Sequence, residues 1–175
     1  MNTIKNDLTQ KYNKGLVIIH WVTALLIIGL FPLGKYLEEL EAADKMGVLK
    51  LHAILGLVVL GLTIIRSVMY FTSARPPHLK TGSAVNDKIM IWIHNAFYFL
   101  MLGIGLSGVA TMILGGYKAG LLANNPELFA HHGELPSLGV HNILATILMV
   151  LLVLHLIGVV KHYVQTKENA LRRMM

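Results

Sequence analysis

Apolar residues run through this chain in four blocks, at 15–33, 48–71, 89–114 and 138–160, and none of the four contains an aspartate or glutamate. Each is long enough to cross about 30 Å of hydrocarbon as a helix, which takes about 20 residues. None alternates apolar and polar positions as a transmembrane β-strand must. The pattern predicts an all-α integral membrane protein in which residues 1–175 form one four-helix bundle, without internal repeat or separable soluble domain. Between the blocks, 34–47 is short and acidic, with Glu38, Glu39, Glu41 and Asp44. The connection 72–88 carries Pro76, Pro77 and Gly82, the composition of a stiff turn. The connection 115–136 is long enough to lay a short helix over one mouth of the bundle but does not require one.

Composition agrees. With 55% hydrophobic residues and a mean hydropathy of +0.62, the 175-residue chain is too apolar for an ordinary soluble domain. Lys5, Lys11 and Lys14 precede the first block as the basic start of a secretory signal would, but the block is longer than a signal core and has no clear small-residue cleavage site, so a retained helix is expected. An even number of spans puts both termini on one side. Lys35, Lys45, Lys50 and Lys118 fall opposite the termini and the other eleven of the fifteen Lys and Arg residues fall with them, which predicts cytoplasmic termini. The net charge of +6 is then a topology signal, and the aromatic-poor basic tails give no case for nucleic acid. Leu171, Arg172 and Arg173 read as a juxtamembrane anchor. There is no cysteine, which excludes disulfides, iron–sulfur clusters and haem attached through Cys-x-x-Cys-His.

The chemistry rests on histidines inside the apolar blocks. A titratable group at membrane depth is costly unless partnered, so each is a functional candidate. His141 and His155 are fourteen residues apart, about 40° short of four turns and about 21 Å along a helix, so one face carries two imidazoles at opposite depths. His20 lies six residues inside Lys14 and His155 six before Lys161, whereas His52 follows Lys50 and His141 follows Glu134. Depth therefore pairs His20 with His155 near the cytoplasmic surface and His52 with His141 near the outer one. A pair of imidazoles across a bundle suits haem iron, which takes one axial ligand from each side of a flat macrocycle. Gly56, Gly105, Gly108 and Gly158 leave room for a disc, or equally for close helix packing. His94, six residues inside Lys88, competes with His20 and His155 on depth alone; hydrogen bonding to a quinone or a helix carbonyl, or snorkelling to the interface, are its other uses. Arg66, fourteen residues after His52, is placed either to pair with haem propionates or to anchor its helix. His162 lies at the cytoplasmic boundary, as an anchor or a wall of a quinone pocket. His78, His131 and His132 read as loop residues.

In this order and spacing, His20-Trp21, the run from Leu51 to Gly56 with Arg66 beyond it, Gly105-Leu106-Ser107-Gly108, the His141 and His155 pair, and the close Lys161-His162-Tyr163 with Leu171-Arg172-Arg173-Met174 resemble the bacterial four-helix cytochromes b of the b561 type. That family is related to the cytochrome b subunits of nickel–iron hydrogenases and formate dehydrogenases. The resemblance implies a multi-pass bacterial inner-membrane protein with two noncovalent b-type haems ligated by the pairs His20/His155 and His52/His141, which resolves the competition against His94. It also implies a quinone site beside the cytoplasmic haem. Some members are superoxide oxidases that pass electrons to ubiquinone, and others serve a partner dehydrogenase.

The reading that follows is transmembrane electron transfer from an outer donor, superoxide among the candidates, to quinone. The alternative is an anchor subunit relaying electrons for a dehydrogenase, a hydrogenase or a soluble cytochrome, which the acidic first loop suits. The outer loops carry six acids against four lysines, so steering of an anion such as superoxide has to be local. A metal or proton transporter fits poorly, because the spans contain no acid and the histidines of one helix stand about 21 Å apart.

Overall fold

The computed structural model describes residues 7–129 and 135–175. Four helices are long and apolar enough to cross a membrane: α1 (Lys14–Glu39), α2 (Ala42–Thr72), α3 (Ala84–Leu114) and α5 (Pro136–Thr166). A short helix, α4 (Tyr117–Ala123), and a 3-10 turn, Pro126–Leu128, follow α3, and a second 3-10 turn, Ala170–Met174, ends the chain. Among the described residues there is no strand.

The helices outrun the apolar blocks that predict them. At 31 residues each, α2, α3 and α5 are about 46 Å long, enough for the hydrocarbon and both headgroup layers. The segment 34–47, expected as a loop, is helical apart from a break at Leu40 and Glu41. Hydropathy marks where a helix is in oil, whereas hydrogen bonding carries the same helix on through polar surroundings. The ends are set by local chemistry. Asn13 caps α1, its side chain accepting from the Gly15 amide at 2.8 Å, and Pro136 opens α5, where a missing N–H costs nothing. Lys167 adopts a left-handed conformation (φ 59°) that stops α5.

Several hydroxyls inside the spans are satisfied by their own helix, whereas Thr23 Oγ1 on α1 is buried without a partner. Thr63 donates to the Val59 carbonyl, Ser67 to Thr63, Thr111 to Ser107 and Thr146 to Asn142, each at 2.7–2.8 Å. Side chains such as Leu25, Phe99 and Ile143 face outward, as a lipid-facing surface requires. In the bundle α1 packs on α2, α2 on α3 and α3 on α5. The segment before α1 and the C-terminal turn meet at one pole: the Tyr12 amide donates to the Arg173 carbonyl at 3.2 Å, and Arg173 reaches the α2–α3 connection at Pro77. We call this the terminal end. The far end holds the α1–α2 break and α4.

Candidate cofactor site

At the far end, α2 and α5 bring the His52 and His141 rings together edge-on, with ring centres 6.2 Å apart and planes at 68°. Two imidazoles that bind one metal ion from opposite sides, through bonds of about 2 Å, have ring centres about 6 Å apart. The two rings line a cavity of about 530 Å³ between the helices, within the usual range for a small-molecule or cofactor pocket. Its walls are apolar, with Leu60, Met101 and Leu148 among them, and glycines bring its helices close. A Cβ on Gly34 would stand 3.2 Å from the His52 ring and one on Gly108 3.1 Å from the His141 ring, so the two imidazoles occupy space that side chains would fill. Gly56, also in the wall, faces open space.

The orientation of His141 is fixed by α3. Its Nδ1 lies 2.9 Å from the Ile104 carbonyl on α3 and 3.4 Å from the Ser107 hydroxyl. A carbonyl only accepts, so Nδ1 carries the proton and Nε2 keeps its lone pair, as a ligating imidazole requires. Nδ1 of His52 is buried with no hydrogen-bond partner. Opposed imidazoles, an apolar cavity and glycine clearance together fit a haem.

At the terminal end the cluster is larger. His155 meets His94 edge-on with ring centres 5.2 Å apart, and Phe97 at 5.6 Å. His94 donates from Nδ1 to its own helix at the Met90 carbonyl, 2.7 Å away. His20 rests against Trp21, ring centres 5.4 Å apart, with its Nδ1 buried and unpartnered. Arg66, His94 and His155 all lie within electrostatic reach of His20. The ring that touches His155 is thus that of His94, while His20 faces the same cluster from α1. Arg66 also stacks over Tyr98, 5.4 Å from the ring centre. Three imidazoles and a guanidinium thus gather at this end, the donor types that a haem iron and its anionic edge would call for.

Beyond the spans, His162 is 9% exposed, and its Nε2 lies 3.5 Å from a Glu168 carboxylate oxygen, an electrostatic contact rather than a hydrogen bond. His162 is legible in the sequence as a boundary residue, but Glu168 is not, because only the left-handed turn at Lys167 folds it back on the ring. Arg172 is exposed, as an anchor would be, but Arg173 is 3% exposed and turned inward, correcting the anchor reading for that residue. His131 and His132 lie outside the described residues. Among the described residues no three His, Asp or Glu side chains converge on a bare-ion site.

Histidines gathered at both ends of a membrane four-helix bundle suit a haem-binding electron carrier. A family model described as prokaryotic cytochrome b561 matches residues 11–175, and the chain belongs to that family. Membership makes it a multi-pass protein of the bacterial inner membrane that carries electrons through b-type haem. It is 26% identical over 172 residues to cytochrome b561 homolog 2 of Escherichia coli K12, covering 95% of this chain and 92% of that one. It is 25% identical over 170 residues to cytochrome b562 of Cereibacter sphaeroides, covering 94% of each. No solved structure matches the chain.

Proposed function

We propose that the protein conducts electrons through two b-type haems, from a donor at the far end, facing the periplasm, to a quinone at the terminal end, facing the cytoplasm. The observation that carries this is the His52/His141 pair, 6.2 Å apart over its cavity. Haem iron supplies reversible one-electron chemistry when bound. The chain's own imidazoles would hold the iron, His52 and His141 for one haem and His20 and His155 for the other, His141 and His155 both lying on α5. Arg66, within electrostatic reach of His20, would balance the anionic edge of the second. Reducing one quinone takes two electrons and two protons, hence two one-electron donations at the far end.

Local charge favours superoxide as donor. Net charge over the outer loops is unfavourable, but Lys35, Lys45 and Lys118 line the cavity mouth against the single acid Glu38. Lys35 lies 3.0 Å from Glu38, so the other two set the local field that draws an anion inward. Each superoxide gives one electron and leaves as dioxygen. The second reading, relay for a soluble basic partner, rests on the exposed rim of Glu39, Glu41 and Asp44.

The deciding experiment is haem quantitation with reduced-minus-oxidised spectra on the purified protein. We expect two b-type haems per chain, one lost in each of His141→Ala and His155→Ala, and both kept in His94→Ala. A haem-free wild type, expressed with adequate haem, overturns the reading. Superoxide-driven quinone reduction by the isolated protein selects the first donor, and activity that appears only with a co-purified subunit selects the second.

A further inference from the structure

We propose that the C-terminal turn Ala170–Met174 belongs to the terminal-end haem site, with Arg173 and Trp21 as positioning residues that hold His20. This rests on His20 being an axial ligand, as argued above.

The two candidate ligands His141 and His20 are held differently. His141 is oriented by a hydrogen bond from Nδ1 to a neighbouring helix. The buried Nδ1 of His20 has no such partner, so nothing polar fixes its ring. Against the ring lies the Trp21 indole, with ring centres 5.4 Å apart and planes at 74°. Trp21 is 42% exposed and on packing grounds would be free to turn, but its Nε1–H donates to the Met174 carbonyl at 2.9 Å, a bond that spans 153 positions of the chain.

Met174 is held in turn by Arg173. The guanidinium, almost fully buried, donates from one terminal nitrogen to the Pro77 carbonyl at 2.7 Å and from the other to the Asp7 carbonyl at 2.9 Å. The backbone of Arg173 accepts from the Tyr12 amide. The turn is prepared locally, since the Asn169 side chain accepts from the Leu171 amide at 3.1 Å. One planar fork thus clamps the α2–α3 connection and the segment before α1 onto the chain end, which a lysine cannot do with a single ammonium. A buried guanidinium is retained against a desolvation penalty, and membrane anchoring would need no burial at all. The line of contact runs Arg173, Met174 carbonyl, Trp21, His20.

The test is a redox titration with low-temperature electron paramagnetic resonance of the purified holoprotein, comparing wild type with Trp21→Phe, Arg173→Lys, the double variant and His20→Ala. The far-end haem serves as internal reference. We expect both haems to be retained in the first three variants. The terminal-end component should shift in potential and g-values while the far-end component stays put, and the double variant should shift no further than the larger single, because both act through one path. No shift in either single variant, or equal shifts in both components, overturns the proposal while leaving the two-haem reading standing if His20→Ala loses one haem. If His20→Ala keeps both haems, the ligand assignment itself falls and takes the proposal with it.

Discussion

His141 is the most constrained residue of the far-end site, and glycine shapes the space around it. A Cβ on Gly108 would press the His141 ring at 3.1 and 3.2 Å, so Gly108→Val forces the imidazole off its bond to Ile104. The expected outcome is loss of the far-end haem alone, read as a fall in haem per chain from two to one with the terminal-end spectrum unchanged. Gly105 is different: its Cβ would stand 2.6 Å from the end of the Leu60 side chain and 3.1 Å from Leu60 Cβ, so Gly105→Val overpacks the α2–α3 contact and is expected to cost about 1–3 kcal/mol, visible as a lower unfolding midpoint in detergent. At this scale sequence depth pairs His52 with His141, because both follow charged residues by a few positions. It does not reveal that His94 would reach His155. That contact depends on the rotation of α3 against α5, and hydropathy that is high on every face of these helices carries no rotational signal.

Among the elements, α4 is where sequence is least informative, since a seven-residue helix leaves no resolvable periodicity. Its placement comes from side chains. Gly116 turns the chain with φ 68°, and buried Tyr117 packs on Phe129 with ring centres 5.0 Å apart. Gly120 is required there, because a Cβ would meet the Phe129 ring and the Asn125 carbonyl. Tyr117 and Lys118 line the far-end cavity, so α4 covers its mouth. Burial pushes the Tyr117 phenol above its ordinary value near 10. A raised pKa means that the folded form holds its proton more tightly than the unfolded one, so the contribution is complete below pH 10 and fades as the pH rises through the raised value. Alkaline conditions are therefore expected to loosen α4, measured as faster reduction of the far-end haem by a bulky reductant above about pH 10. Tyr117→Phe, which has no phenol to ionise, should flatten that rise.

For the whole molecule, charge acts at two ranges. Over the long range, the excess of Lys and Arg at one pole predicts which end stays in the cytoplasm; over a few ångströms, lysines at the cavity mouth outweigh acids that dominate the loops. The first is legible from the sequence and the second is not, because α4 and the end of α1 must fold over the cavity before Lys35 and Lys118 face one mouth. Orientation decides whether that mouth can meet a periplasmic donor. The chain has no cysteine, so a single one can report its side without background. Met175 and Leu122 are 65% and 80% exposed and lie at opposite poles. Met175→Cys should react with a membrane-impermeant maleimide only once the cytoplasmic face is opened, and Leu122→Cys already in intact spheroplasts. The reverse pattern would place the lysine-lined mouth in the cytoplasm, out of reach of periplasmic superoxide, and would reverse the proposed direction of electron flow. With the expected pattern, superoxide oxidation by wild type should slow as ionic strength rises, since steering by exposed lysines is screened within about 8 Å at physiological salt. Lys118→Glu should lower the rate at low salt and weaken that dependence, while a basic protein donor would show the opposite response to the new acid.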